Sequence, residues 1–344
     1  MKELKGAGDI AGIEVDGKRK LFSATHDEIE AGATTDVYWL RTYDILGKLG
    51  LMDARVVADV FARDPGVFCG VEETRRFLEG RNVGVLAVPE GERFEAKQTV
   101  MQISGRYGGF GMYETVVLGI LASSSGWATA AAEIKEAAGD SAVICFGSRH
   151  IHPAVAPVME RASLVGGMDG CSCILGALLK GTKPVGTVPH ASILIAGDTV
   201  RVAEVFDEIY ADDVPRIILV DTFKDEGEEA LRVAHALKKR LAGVRLDTPS
   251  ERGGVTPDLV REVRRRLDIE GFDHVKIVVS GGLTPEKIRI HKRMGADMFG
   301  VGSWVACASP IEMTMDIKEI NGRPVAKRGR LPGPDTNEKL VRII

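Results

Sequence analysis

The order of residues predicts an α/β fold built on a parallel, barrel-type sheet. Three observations lead there. Short apolar runs recur through the middle of the chain, helical patterns separate most of them, and each run stops in residues suited to chemistry. Strands alternating with helices favour a parallel sheet. When such a sheet closes into a barrel, the C-terminal ends of its strands share one rim, and active sites sit on that rim.

Seven runs carry the pattern, in this order. Val143–Phe146 leads into Gly147-Ser148-Arg149-His150; Ser163–Val165 into Gly166-Gly167-Met168-Asp169; Pro184–Gly186 into Thr187-Val188-Pro189-His190. Ile217–Val220 leads into Asp221-Thr222, Gly243–Leu246 into Asp247-Thr248, Val275–Val279 into Ser280-Gly281-Gly282, and Met298–Val301 into Gly302-Ser303. Two helix starts are legible: Thr256-Pro257 and Thr284-Pro285 each place a hydroxyl cap before a proline at the first helical position. From Glu226 to Leu241, Leu231, Ala234, Leu237 and Leu241 form one apolar face, as on an outer helix packed against a sheet. The first 115 residues read differently: strands over Asn82–Val88 and Phe94–Ile103 flank the turn Pro89-Glu90-Gly91, and a helix from about Tyr113 leads into the barrel. After Ser303 a returning strand over Met313–Lys318 and a basic loop, Lys327–Arg330, pack on the first domain. The expected domains are 1–115 with 306–344, and 116–305.

Composition narrows the function classes. With 344 residues, 44% hydrophobic and 27% charged, the chain has ample core material. A net charge of -4 offers no general attraction to nucleic acid or an anionic membrane, so an anionic ligand needs a local site. No apolar run is read as approaching the roughly 18 residues of a membrane span. The N-terminus has no signal-peptide pattern, and the five cysteines, with Cys69, Cys145 and Cys307 in apolar surroundings, suit a reduced, cytoplasmic protein. Cys171-x-Cys173 is too tight for a zinc knuckle and reads as buried small residues.

The rim residues suggest a phosphate site. Ser280-Gly281-Gly282 and Gly302-Ser303 follow the last two strands, where glycine lets the backbone approach an anion and helix N-termini direct free N–H groups at it. The alternative is that these glycines only permit tight turns. Arg149 and Arg245 supply guanidinium groups that match phosphate or carboxylate, unless they form structural ion pairs. Asp221 and Asp247 end successive strands and can hold Mg²⁺ through water or accept from sugar hydroxyls; helix capping is the alternative. His190 ends another run and can act as base, phosphate ligand or nucleophile, and His150-x-His152 could instead start a zinc site of a barrel hydrolase.

Together these residues resemble the nicotinate phosphoribosyltransferase family, especially its shorter archaeal-type members. The matching pieces include Thr35-Asp36-Val37-Tyr38, Glu114-Thr115, Phe146-Gly147-Ser148-Arg149, Gly167–Ser172 and Gly186–His190. They continue, in the family's order, with Val220-Asp221-Thr222, Arg245-Leu246-Asp247, Ser280-Gly281-Gly282, Phe299–Ser303 and Lys327-Arg328-Gly329. The resemblance implies an irregular α/β barrel with an N-terminal α/β domain completed by the C-terminal segment. It implies synthesis of nicotinate mononucleotide and pyrophosphate from nicotinate and phosphoribosyl pyrophosphate in NAD biosynthesis. Mg²⁺ and ATP as co-substrate follow, as does a homodimer or higher oligomer with shared active sites. Tyr38 matches an aromatic residue that stacks on the pyridine ring of a neighbouring subunit. Ser172 matches a position that is acidic in relatives preferring nicotinamide, and its neutrality favours the acid. His190 matches a histidine phosphorylated by ATP. Gly281, Gly282, Gly302 and Ser303 would hold the 5′-phosphate; Asp221 and Asp247 the ribose and metal; Arg149, assisted by His152, the leaving pyrophosphate; Arg245 the base carboxylate or the phosphate. Two departures stand out: Arg149-His150 where many members have two arginines, and Thr248-Pro249-Ser250 in place of Ser-Gly-Asp. The competing readings are quinolinate phosphoribosyltransferase and, more remotely, the metal-dependent hydrolase.

Overall fold

A computed structural model describes all residues, 1–344. It divides into two compact units: residues 1–129 with 309–344, and residues 130–308. The first division falls inside the long helix Glu114–Ala138, further along it than the expected boundary after residue 115.

The first unit is built on a six-stranded sheet, in the spatial order Arg323–Pro324, Met313–Ile320, Arg55–Ala62, Thr99–Arg106, Val83–Ala87, Val341–Arg342. Its strands pair antiparallel. Val56, Ala58, Val60 and Ala62 alternate inward along one central strand, the period of two that a half-buried strand needs. The returning strand Met313–Ile320 pairs with Arg55–Ala62, and the last residues close the opposite edge against Val83–Ala87. The C-terminal segment therefore completes this sheet. The expected single strand over Phe94–Ile103 is two pieces, Arg93–Phe94 and Thr99–Arg106, because Lys97 takes a left-handed turn at φ 66°.

One expectation needs correction here. The helical run Tyr107–Ala138 is 32 residues long and contains an 18-residue window of mean hydropathy 1.3, long and apolar enough to cross a membrane by length and composition. Within the protein, 56% of that window is buried. Alanine, serine and glycine dilute its leucines and valines, so the eye sees no unbroken apolar run.

The second unit carries a six-stranded, all-parallel, curled sheet, a half-barrel. Its spatial order is Gly170–Cys171, Ala142–Cys145, Met298–Val301, Lys276–Ser280, Leu241–Leu246, Arg216–Leu219. Helices on its outer side bury apolar residues; Glu226–Leu237 packs through Ala230, Val233, Ala234 and Leu237, and Leu241 starts a strand instead of ending that helix. Two of the seven expected strands are absent. Ser163–Val165 ends the helix Ala156–Val165, which stops at Gly166 and at Gly167 with φ 98°. Pro184–Gly186 is irregular: Val185 gives one N–H to Cys171 O at 2.8 Å, and Pro184 has no N–H with which to extend a ladder.

Candidate active site

Because the sheet is parallel, its strands deliver their following loops to one end. Five of those loops line a single cavity of about 340 Å³. Arg149, Ser172, Arg245, Asp247, Gly281, Gly282, Gly302 and Ser303 all border it, together with Phe146, Ser148, His150, Ser280 and Gly300. Eight of the residues named from the sequence thus come together.

The glycines are there for space and for φ. Gly281 and Gly282 have φ of 96° and 59°, a region that other residues rarely enter. A Cβ on Gly300 would stand 2.4 Å from the Phe146 ring, and one on Gly302 would stand 3.0 Å from His150 Nε2. The helix after the first turn starts as expected: Thr284 Oγ1 accepts the Lys287 N–H at 3.3 Å, with Pro285 at the first position. Lys287 returns Nζ to Gly282 O at 3.0 Å, a cation on the phosphate-type turn that the sequence reading did not single out. Its signal was its position, the third residue after the cap.

Two arginines and two aspartates set the electrostatics. Arg245 lies on the strand Leu241–Leu246 and Asp247 one residue past its end; Arg245 Nη2 is 3.8 Å from Asp247 Oδ2. The Arg245 guanidinium lies 5.8 Å from the centre of the Phe146 ring, and its Nε is buried without a hydrogen-bond partner. Burial pulls the Arg245 pKa down and Arg149 adds to that, while Asp247 and Asp221 oppose it. Asp247 Oδ1 accepts from Ser280 Oγ at 2.9 Å.

Asp221 lies behind this pair. Its side chain is fully buried, 3.3 Å from His190 Nε2, and neither carboxylate oxygen has a hydrogen-bond partner. Burial pushes its pKa up to about 6; Asp247 pushes the same way, and His190 and Arg245 partly offset it. His190 begins the helix His190–Ala196, and its Nδ1 is 3.0 Å from Thr222 Oγ1. His190 and Asp221 touch each other but do not line the cavity itself.

Two residues fall elsewhere. His152 is exposed, outside the cavity lining, with Nδ1 accepting the Ala154 N–H at 3.1 Å; its neighbour His150 takes the lining position. The short turn Ser148–His150 ends at Ile151, which is extended, so His152 lies beyond the turn that carries His150. Tyr38 belongs to the first unit, half exposed on a cavity of about 540 Å³ with Trp39, Tyr107, Glu114, Asp316 and Lys327. Cys307, expected in apolar surroundings, is exposed, whereas Cys145 and Cys171 are fully buried. Sequence reasoning missed Glu160 altogether, a fully buried carboxylate on the helix Ala156–Val165.

A half-barrel whose strand ends gather glycine turns, guanidinium groups and carboxylates defines an enzyme-type site for an anionic, hydroxylated ligand. Residues 36–125 match the Quinolinate phosphoribosyl transferase N-terminal domain and residues 127–316 the C-terminal domain; the chain belongs to this family. It is 29% identical over 248 residues to the nicotinate phosphoribosyltransferase pncB1 of Mycobacterium tuberculosis, covering 70% of this chain and 54% of that one. The chain thus spans about half the length of that curated relative. It is similar to the crystal structure of nicotinate-nucleotide pyrophosphorylase from Pyrococcus furiosus, with TM-score 0.87 and 49% identity over 92% of this chain and 82% of that chain. Human nicotinic acid phosphoribosyltransferase shares the fold at 19% identity, TM-score 0.68, over 87% of this chain and 77% of that one.

Proposed function

We propose that the cavity binds phosphoribosyl pyrophosphate and joins its ribosyl 5′-phosphate to nicotinate, giving nicotinate mononucleotide and pyrophosphate for NAD biosynthesis. One observation carries this reading: phosphate-type glycine turns, Asp247 and just two arginines border the same cavity. Gly281, Gly282, Gly302 and Ser303 hold the 5′-phosphate through backbone N–H groups. Asp247, with Asp221 behind it, orders the ribose hydroxyls. Arg149, exposed on its turn, neutralises the departing pyrophosphate, and Arg245 holds the base carboxylate. As pyrophosphate leaves, the anomeric carbon gains positive charge and the pyridine nitrogen attacks it. The protein does little covalent work; positioning and electrostatics carry the rate.

Asp221 and Asp247 suit Mg²⁺. Two unpartnered, buried carboxylate oxygens on Asp221, destabilised further by the Asp247 charge, gain from a cation nearby. The ion, when bound, neutralises pyrophosphate charge. ATP coupling through His190 is part of the proposal, since its ring is held between Asp221 and Thr222. So are a homodimer or higher oligomer, with Tyr38 serving a neighbouring subunit, and a cytoplasmic location.

A second reading is quinolinate phosphoribosyltransferase, with a dicarboxylate base and loss of carbon dioxide. The likeness to the Pyrococcus furiosus nicotinate-nucleotide pyrophosphorylase favours it. Against it, a second carboxylate needs cations beyond Arg149 and Arg245, and the cavity lining has no lysine and no third arginine. A product assay with phosphoribosyl pyrophosphate and each of nicotinate, nicotinamide and quinolinate, with and without ATP, separates the readings. Nicotinate mononucleotide from nicotinate, without carbon dioxide release from quinolinate, is expected; release from quinolinate with no use of nicotinate overturns the proposal.

A further inference from the structure

Ser148 and Ser172 stand on neighbouring loops of the cavity, and the same buried group lies behind both. Glu160 is fully buried. Its Oε1 accepts from the Ser148 N–H at 3.0 Å, from Ser148 Oγ at 2.7 Å and from Ser172 Oγ at 3.1 Å. Its Oε2 accepts from the Cys173 N–H at 2.5 Å. Gly176 permits this depth, since a Cβ there would stand 3.2 Å from the Glu160 Cβ.

The proton count has a direct consequence. An ionised carboxylate only accepts, and it has about four lone-pair sites. Three donors converge here on Oε1 and one on Oε2, with Ser172 Oγ also 3.5 Å from Oε2. A serine hydroxyl has one proton, so Ser148 and Ser172 each give theirs to Glu160 and turn only lone pairs to the cavity. The remaining donor on this wall, the Ser172 N–H, is bonded to Cys145 O at 3.0 Å. The Ser148 and Ser172 hydroxyl protons are therefore both turned away from the cavity, toward a carboxyl group that lies one hydroxyl behind them. Burial, and next the nearby Glu160 carboxylate, push the neighbouring Cys145 and Cys171 thiols up to about 12.

We propose that Glu160 is a specificity-setting positioning residue: by taking both serine protons it makes the Ser148–Ser172 wall acceptor-only, so this wall rejects a carboxylate and directs the substrate's one carboxylate to the arginine side. The inference rests on the phosphoribosyltransferase reading and deepens it. Neutrality at Ser172 is then not enough to favour an acid, because the hydroxyl relays the charge behind it. The wall selects against a second carboxylate on the base.

The test is Glu160→Gln, of nearly the same shape. In either orientation its amide nitrogen lies within 3.5 Å of a serine oxygen, and donating to it frees that hydroxyl proton for the cavity. Inhibition constants of quinolinate and of nicotinamide, each competing with nicotinate, are measured in parent and variant beside a melting curve. The quinolinate-to-nicotinamide ratio of inhibition constants is expected to fall about tenfold, equivalent to about 1.4 kcal/mol. A merely structural role changes both constants alike and leaves the ratio where it was. A folded variant that still uses nicotinate, with a ratio within about twofold of the parent's, overturns the proposal. Should Glu160→Gln not fold, Ser172→Ala decides by the same ratio: it removes the hydroxyl between the cavity and Glu160, so the ratio is expected to rise, and a ratio within about twofold of the parent's overturns the proposal. A parent that makes no nucleotide from nicotinate fails the proposed function and this inference together; an active parent with an unmoved ratio fails this inference alone.

Discussion

Arg149 is the more exposed of the two arginines on the cavity, so its substitution reads chemistry. Arg149→Ala is expected to lower turnover about tenfold or more, since a charged hydrogen bond is worth about 1.5 to 3 kcal/mol; near-normal steady-state kinetics would reject its role at the leaving group. His190→Ala is expected to abolish any ATP hydrolysis and to cut synthesis sharply at low substrate. The same ATP dependence in variant and parent removes the phosphohistidine. Ser172→Asp puts a carboxylate where Ser172 Oγ stands 3.1 Å from Glu160 Oε1 and is expected to weaken nicotinate more than nicotinamide, as read from their kcat/KM values. Residue identity was legible in the sequence at most strand ends: Arg149, Arg245, Asp247, Gly281 and Ser303 all border one cavity, whereas Asp221 and His190 do not line it. Glu160 was not legible, because it lies mid-helix among Pro157, Met159 and Ala162 and resembles any surface charge until its four donors are seen.

Helix caps were the clearest element-level signal, and both formed. Thr256 accepts from Leu259 N–H at 3.1 Å and Thr284 from Lys287 N–H at 3.3 Å. Replacing either with alanine is expected to cost about 1 kcal/mol in urea unfolding. Only Thr284→Ala should also raise the KM for phosphoribosyl pyrophosphate, because its helix begins at the Gly281-Gly282 turn. Equal kinetic effects of the two changes would detach that turn from phosphate binding. Elements failed to be legible where an apolar run was short. Ser163–Val165 and Pro184–Gly186 have the composition of strand ends, but three residues carry no period, and the neighbouring helix and a proline decided their states.

Across the molecule, buried carboxylates tie stability to pH. Asp59 lies on the central strand of the first unit, 1% exposed; Oδ2 accepts the Asp335 N–H at 2.8 Å and Oδ1 has no partner. Burial raises its pKa from 3.8 to about 6. Between those values the folded state holds a proton that the unfolded state has lost, so stability falls as pH rises through this window. Relative to Asp59→Asn, the parent's Tm is expected to fall from pH 3.8 to about 6 and to hold level above it. A constant difference across a melting series would show that Asp59 ionises freely.

The linear order of residues determined the α/β class, the strand ends that meet and the caps that start the helices, because those depend on neighbours within a few positions. Tertiary structure alone decided that the parallel sheet is an open half-barrel, that His190 backs Asp221 instead of entering the cavity, and that Glu160 takes the protons of Ser148 and Ser172. Those outcomes turn on distances of about 3 Å between residues far apart in the chain, and such contacts leave no local pattern to read.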